Sequence, residues 1–494
     1  MKFIKNISLA LLLVGLGACS QFEEFNQNPN EPTTVSADVL LPAAIRKSVN
    51  TSVDASFLVG NNAAQLTAKT LRLEVDAYNW NAFPTYWEGW YESLTDVVSL
   101  ENIAVESGNG ALEATAITLK SWIFANLTNA YGDIPYNEAI QGATDNFTPA
   151  YDDQQAIYMD LLSELERADQ LLAAGDGSID GDILLGGDMD KWRKFANSLR
   201  LRLLMYANGQ ISDAGSQFAS IVDKGNILSS NNDNVVLTYT GSFPNEFPLV
   251  PLKQGDFDAV ALGKAASDVM ESYSDPRLLR FARPNNEDFS NNPTFIGAVN
   301  GQGEDCSKDG ASRLGVQYYN YPDLTTAASL NLPMAEGVVM TFSEVEFLLA
   351  EAAAKGWIND DVETHYRNGI QASMQYHMVD YAAFGYTGGF NEYYSTSGVA
   401  YSMVTDIWEQ KWLALFFHGL EPYFEVRRWY VESGNSFDGI PFLNATCGNL
   451  NSDNLPLRFL YPGEEQSLNA SNYNNAIDKL GGSNNQNAQM WLVQ

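Results

Sequence analysis

Residues 342–357 read FSEVEFLLAEAAAKGW, and this stretch indicates the fold class of the chain. Its apolar side chains recur at spacings of three and four residues, at Val345, Leu348, Leu349, Ala352 and Ala353. This spacing places them on one face of an α-helix. Ser343 and Glu346 have the spacing of a capping box, which predicts the start of the helix, and Gly356 predicts its end.

A second helix is predicted to follow directly. Its start is predicted at Asp360 or Asp361, and its apolar face is formed by Val362, Tyr366, Ile370 and Met374. Two helices within about 34 residues, with alanines where they would cross, are typical of a tetratricopeptide-type unit. The same periodicity predicts a further pair over 407–416 and 423–430. The sequence therefore predicts a body of packed helical hairpins.

Helical periodicity extends to other parts of the chain, at 116–130, 151–174 and 192–206. Long stretches rich in Gly, Pro, Asn and aromatic residues lie between the helices, at 76–84, 241–257, 283–340, 384–402 and 433–475. Loops of that length inside a compact domain are usually functional. We therefore predict a mainly all-α fold, with a single domain over 37–494 whose loops carry the binding site.

The N-terminus predicts the compartment. Lys2 and Lys5 flank the start of an apolar stretch that is too short to span a bilayer. The small residues before Cys19 are typical of a bacterial lipoprotein cleavage site, which predicts a signal peptide over 1–18, acylation of Cys19 and a tether over 19–36. More than one acyl chain is what stable anchoring requires, so the lipid alone would hold the protein to a membrane. An ordinary secretory signal with a chance cysteine is the alternative.

The net charge of the chain limits its partners, and its few cysteines allow at most one disulfide besides Cys19. The chain carries a formal net charge of -33 at pH 7, which argues against nucleic acid and anionic membrane surfaces as partners. Besides Cys19, the sequence contains only Cys306 and Cys447. In an oxidising compartment these two can form one disulfide, and two free thiols in separate loops are the alternative.

The motifs of common enzymes are absent from the sequence. Its three histidines form no H-E-x-x-H pattern, and neither a G-x-S-x-G elbow nor a P-loop occurs. The acidic turn that begins at Asp176 imitates part of a calcium loop, but Gly187 stands where the bidentate carboxylate is needed. We therefore expect no metal, no cofactor and no catalysis. A helical glycoside hydrolase with two carboxylates is the least favoured alternative, because acidic residues are abundant.

Aromatic residues in the polar loops are the candidate ligand contacts. Trp80 lies between asparagines in a polar segment, and an exposed indole can stack on the apolar face of a sugar ring. The alternative is that Trp80 folds back onto the scaffold. The predicted ligand-binding residues are Trp80, Tyr78, Asn81, Tyr319, Tyr321 and Tyr393, and Tyr318 is a similar loop candidate.

Seven blocks in chain order resemble the SusD/RagB family of surface lipoproteins. They are Asn28-Pro29-Asn30, YGDIPY at 131–136, GGDMDKWRKFANSLRLRLLM at 186–205, Ser274-Asp275-Pro276-Arg277-Leu278, FSEVEFLLAEAAAKGW at 342–357, EQKWLALFFHGLEPYFEVRRW at 409–429 and Arg458-Phe459-Leu460-Tyr461-Pro462. Together they span nearly the whole mature chain. Each block alone is a modest signal, whereas seven in order are specific.

The resemblance implies a SusD-like scaffold of four tetratricopeptide-like helix pairs with ligand loops on the solvent side. It also implies a SusC-like TonB-dependent transporter as partner and an outer-membrane location facing the cell exterior, and Glu23 and Glu24 resemble the acidic export signal. The expected function is capture of a glycan, an oligosaccharide or polysaccharide, without catalysis. Capture of a peptide or protein fragment by the same kind of complex is the alternative that the scaffold cannot distinguish.

Overall fold

In the computed structural model, helices form most of the described chain, which comprises residues 36–142, 145–243, 245–289, 293–320 and 333–494. The helices are α1 (Ala37–Ala55), α2 (Pro84–Ser107), α3 (Gly110–Tyr131), α4 (Gln154–Ala174), α5 (Met189–Tyr206), α6 (Ala214–Lys224), α7 (Gln254–Phe257), α8 (Lys264–Ser272), α9 (Leu278–Phe281), α10 (Phe342–Ala354), α11 (Val362–Tyr376), α12 (Phe390–Thr396), α13 (Val404–Ala414), α14 (Glu421–Glu432), α15 (Gly463–Leu468) and α16 (Ala470–Lys479). The mainly α-helical fold class predicted from the sequence is confirmed.

Consecutive long helices pack side by side, as helical hairpins require. Helix α2 contacts α1 and α3, α4 contacts α3 and α5, and α10 packs along α11 and α13. The main core cluster includes the fully buried Trp90, Trp122, Trp192, Trp412 and Trp429. The apolar face of α11, with Tyr366, Ile370 and Met374, belongs to a second, smaller cluster. Within the described ranges, no helix combines the length and the apolar character that a membrane crossing requires.

The start of α10 differs from the capping box predicted at Ser343 and Glu346. The N-cap is Thr341, whose hydroxyl accepts a hydrogen bond from the Glu344 backbone N–H. The Ser343 hydroxyl donates instead to the Gly369 carbonyl at 2.7 Å. The predicted capping box is wrong, because two Ser/Thr-x-x-Glu patterns overlap in this stretch, beginning at Thr341 and at Ser343. The contact of Ser343 with α11 leaves Thr341 as the cap. The N-cap of α11, by contrast, is Asp361, as predicted.

A buried ion-pair network ties the two halves of the helical body together. Arg202 on α5 donates to the Glu344 carboxylate at 2.6 and 2.7 Å and to Glu421 Oε1 at 2.9 Å. Arg428 on α14 donates to both carboxylate oxygens of Glu351 on α10 at 2.7 Å. Breaking a buried pair strands a charge, so these contacts fix how α5, α10 and α14 align.

One close backbone approach explains why the end of α1 needs a glycine. After Ala55 the helix continues through a π-helical segment, Ser56–Gly60, and a last turn, Asn61–Ala63. A Cβ atom added to Gly60 would lie 2.2 Å from the Gly419 carbonyl oxygen. The turn between α13 and α14 therefore rests directly on the backbone of this segment.

Six short strands pair in antiparallel twos within the described chain. They are β1 (Thr67–Lys69), β2 (Ile134–Pro135), β3 (Tyr151–Asp152), β4 (Val235–Leu237), β5 (Val260–Leu262) and β6 (Gly337–Met340). The pairs are β1 with β5, β2 with β3 and β4 with β6. The β4–β6 pair matters most for the site, because β6 runs directly into α10 and holds the end of the long 283–340 segment against the helical body.

Candidate ligand-binding site

The structure corrects the expectation that Trp80 is exposed. Only 5% of its surface is accessible, and its ring makes edge contacts with Tyr423 at 5.2 Å and Phe459 at 5.4 Å between centroids. Its Nε1 donates to the Val75 carbonyl at 3.2 Å. The sequence pattern misled because the partners that cover the ring are distant in the chain. No ring face of Trp80 is open to a ligand.

The predicted tyrosines are also buried among protein groups. The Tyr78 hydroxyl donates to the Ala63 carbonyl at 2.9 Å, and Tyr393 donates to Asp275 Oδ2 at 3.1 Å. Tyr319 donates to the Leu252 carbonyl at 2.9 Å. All three are less than a tenth exposed.

The remaining predicted residues are not brought together into one site. Asn81 is exposed. Tyr321 and the lipidation residue Cys19 lie outside the described residues.

A disulfide joins two of the loops that the sequence singled out. Cys306 and Cys447 are bonded, with their Cα atoms 5.7 Å apart and 141 residues apart in sequence. The bond holds the 283–340 segment against the 433–475 segment, next to the contact of Gly301 with Cys447. A cleft of about 470 Å³ lies beside it, lined in part by Lys264, Asn300 and Thr446. Phe442 is the aromatic residue of the cleft, and its ring is buried against Trp412.

A second concavity combines aromatic rings with buried polar groups. We call it the Arg280 pocket and define it by Arg280, Gln317, Tyr318, Glu336, Tyr376 and His377, which line a cavity of about 250 Å³. Arg280 comes from α9, Tyr376 ends α11, and Glu336 precedes β6. The pocket therefore lies where the 283–340 segment meets the end of a helical hairpin.

Packing fixes the aromatic walls of the pocket. The Tyr318 ring stacks on Phe417 with centroids 4.2 Å apart. The His377 ring contacts Phe281 at 5.0 Å and Tyr376 at 5.1 Å. Tyr376 is half-buried, so part of its ring faces the cavity. These rings offer apolar surface in a preset geometry, as small-molecule sites commonly do.

Three side chains of the pocket are buried without partners for some of their polar atoms. Arg280, Gln317 and His377 are 7%, 5% and 6% exposed. Among the described residues, nothing hydrogen-bonds to Arg280 Nε and Nη1, Gln317 Oε1 or His377 Nε2. Leaving a buried donor or acceptor unsatisfied costs about 1–3 kcal/mol per group, and more for a charged group. The pocket is therefore prepared to hydrogen-bond a molecule that enters it.

Arg280 is the positive charge of the pocket. Burial lowers the pKa of His377 well below its usual value, and the nearby charges of Arg280 and Arg277 lower it further, so the imidazole is neutral. Burial also lowers the pKa of Arg280, yet a guanidinium stays protonated. In the described chain no carboxylate forms an ion pair with Arg280, and Glu336 instead accepts a hydrogen bond from Thr238 Oγ1 at 2.8 Å.

Arg277, three residues earlier, shows what a satisfied buried arginine looks like here. Its Nη2 donates to Asp275 Oδ2 and Gln410 Oε1, both at 2.6 Å. Arg280 was not among the residues predicted from the sequence, because the segment Arg277-Leu278-Leu279-Arg280 contains two arginines that only the fold distinguishes. Of its aromatic candidates, Tyr318 does line the pocket. The described residues contain no group of three His, Cys, Asp or Glu side chains placed to hold a metal ion.

Comparison with known families decides the identity of the fold. A SusD-like family model, described as starch-binding and associating with the outer membrane, matches residues 29–462. The chain belongs to the SusD/RagB family. This match covers most of the chain, so the family resemblance of the seven sequence blocks is confirmed.

Solved structures of SusD homologues superpose over nearly the whole chain. A SusD homologue from Bacteroides fragilis has a TM-score of 0.77 and 25% identity, with coverage of 93% of this chain and 100% of the homologue. A second Bacteroides fragilis homologue has a TM-score of 0.74 and 23% identity, with the same coverage. A chitin-binding SusD homologue from Flavobacterium johnsoniae has a TM-score of 0.73 and 19% identity, with coverage of 92% and 98%. No curated protein sequence matches the chain.

Proposed function

We propose that this SusD-like protein captures a glycan in the Arg280 pocket and delivers it to a SusC-like TonB-dependent transporter of the outer membrane. The observation that carries the proposal is the combination of a half-buried tyrosine ring, Tyr376, with three buried side chains that each have at least one polar atom without a partner. A sugar ring presents the complementary groups, because its C–H faces pack on aromatic rings while its oxygens donate and accept hydrogen bonds.

The size and shape of the pocket favour a sugar over a peptide. A cavity of about 250 Å³ lies below the range of roughly 300–1,000 Å³ typical of drug-sized ligands. It would accept one ring of a longer chain that continues into solvent. A peptide would need a longer groove for successive side chains or a free sheet edge for backbone pairing.

The family and the N-terminal sequence support the proposed cellular setting. The family model is described as associating with the outer membrane. We propose that Cys19 is acylated, that the lipid anchors the protein on the outer face of that membrane, and that the protein binds its ligand without converting it. The transporter would then accept the ligand that the lipoprotein holds.

Binding measurements with a matched pair of variants test the proposal. We expect Tyr376→Ala to weaken binding of the preferred glycan by about 10- to 100-fold, by analogy with stacking of flat ligands on aromatic rings. Tyr401→Ala, a half-buried tyrosine outside the pocket, is the control and should bind as the wild type does. Calorimetric titration against a panel of polysaccharides and peptides supplies the affinities. Binding of peptides alone, or equal binding by both variants, would contradict the proposal.

Copurification tests the partner separately. Mild detergent extraction of the native membrane should recover a TonB-dependent transporter with the tagged lipoprotein. Recovery of the lipoprotein without any transporter would contradict the partnership, while glycan binding by the purified protein would remain independent of that result.

A further inference from the structure

We infer that the glycan taken by the Arg280 pocket is acidic and that its sugar carboxylate pairs with the Arg280 guanidinium. This inference rests on the proposed function, because it assumes that the pocket binds sugar and names the class. It starts from Arg280 Nε and Nη1, which are buried and lack a partner in the described part of the chain. A buried cation without a counter-charge is unfavourable, and an arriving carboxylate would remove that penalty.

The donor geometry suits a carboxylate better than a neutral hydroxyl. A guanidinium presents planar, paired N–H groups that match the two oxygens of a carboxylate. Asp275 meets Arg277 in this way within the same segment, with Nε at 3.0 Å from Oδ1 and Nη2 at 2.6 Å from Oδ2. Arg280 has the same guanidinium group, but in the described chain no carboxylate pairs with it.

The neighbours of Arg280 can hold the rest of an acidic sugar. Gln317 Oε1 accepts hydrogen bonds, and the neutral His377 ring can donate or accept at Nε2, so both can bind sugar hydroxyls. The ring of Tyr318 is held by Phe417 and supplies apolar surface beside them. The Gln317 side-chain amide donates to the Arg280 backbone carbonyl, and this hydrogen bond holds the two residues in a fixed relative position.

The strongly negative charge of the protein does not prevent this binding. The chain has a formal net charge of -33, which disfavours the approach of an anion from a distance. Exposed charges are screened over about 8 Å at physiological ionic strength, whereas a buried pair is screened much less. Inside the pocket the charged groups are the Arg280 guanidinium and the Glu336 carboxylate, and Glu336 accepts a hydrogen bond from Thr238, so the guanidinium is the charged group left to pair with a sugar carboxylate.

The test compares acidic sugars with their neutral counterparts on the full mature protein. The probes are oligogalacturonate, oligomannuronate and sialyl-lactose, each paired with a neutral form: methyl-esterified oligogalacturonate, mannan oligosaccharide and lactose. We expect at least one acidic probe to bind, and its neutral counterpart to bind about 10- to 100-fold more weakly. Arg280→Met should reduce binding of the acidic probe to the level of the neutral one.

A matched variant and a stability measurement separate binding from folding. Arg367→Met removes one exposed positive charge outside the pocket and should leave the affinity unchanged. Methionine keeps the unbranched stem of Arg280, so we expect the Tm of Arg280→Met to equal or exceed that of the wild type, because an unpaired buried cation is lost. A lowered Tm with unchanged affinity would make Arg280 a structural residue and overturn the inference.

The outcomes distinguish this inference from the proposed function. If neutral glycans bind as well as acidic ones and Arg280→Met has no effect on affinity, the inference that the glycan is acidic is wrong. The proposed capture of a glycan would still stand. If neither acidic nor neutral glycans bind, the proposed function fails and the inference fails with it. Binding of an acidic probe that depends on Arg280 but not on Arg367 supports both.

Discussion

Replacement of Trp80 by alanine should destabilise the protein without removing its ligand site. The side chain is 5% exposed, and the rings of Tyr423 and Phe459 make edge contacts with it, with centroids 5.2 and 5.4 Å away. Removing a buried tryptophan or phenylalanine typically costs about 3–5 kcal/mol. The Val75 carbonyl would also lose its indole donor. We therefore expect a loss of about 4 kcal/mol in the free energy of unfolding.

The loss converts into a measurable change in melting temperature. An unfolding entropy of about 2.1 cal/mol/K per residue gives about 1 kcal/mol/K for a chain of this length, so Tm should fall by about 4 °C. Differential scanning calorimetry measures the shift. Phe243→Ala is the control, because that ring is 88% exposed and its removal should change Tm by less than about 1 °C. An unchanged Tm with lost glycan binding would show that Trp80 faces ligand and would refute this reasoning.

Three further predictions concern the anchor, the disulfide and a buried acid. Cys19→Ala should release the protein from the membrane fraction, and retention of a lipid label on that variant would contradict the lipoprotein assignment. Replacing Cys306 and Cys447 together by serine should lower stability by about 2–5 kcal/mol in urea unfolding, since the bond closes a long loop, and two alkylatable thiols in the native protein would contradict the bond. Burial raises the pKa of Asp76 to about 7, so the folded protein binds a proton at this carboxylate more tightly than the unfolded chain does. The stability that the bound proton contributes is lost as pH rises from about 4 to 7. The difference in Tm between Asp76→Asn and the wild type should therefore be more positive at pH 7 than at pH 5. Asp438→Asn, at an exposed position, should show no such pH dependence.

Helices were predictable because their signal is local. The apolar spacing around Leu348 and Ile370 follows one turn after another, and α10 and α11 form where it indicates. The cap of α10 was not predictable, since Thr341 and Ser343 each precede a glutamate by three residues. Contact of Ser343 with the Gly369 carbonyl on α11 assigns the cap to Thr341, and that contact exists only in the folded hairpin.

The binding site was less predictable, because burial depends on partners far along the chain. Trp80 stands between asparagines, which indicated exposure, yet residues more than 300 positions later cover its ring. Arg277 and Arg280 share one short segment, and no local pattern shows which of them pairs with an acid. One of the long loops singled out from the sequence, the 283–340 segment, supplies Gln317 and Tyr318 to the pocket. The particular side chains required the fold.

A crystal structure of the protein with its tightest-binding acidic oligosaccharide would show whether the Arg280 pocket is the binding site. We expect a sugar ring in the Arg280 pocket, beside Tyr376, with its carboxylate oxygens about 2.7–2.9 Å from the Arg280 guanidinium nitrogens. A sugar bound elsewhere, for example in the cleft beside Cys447, with the Arg280 pocket free of ligand, would contradict it.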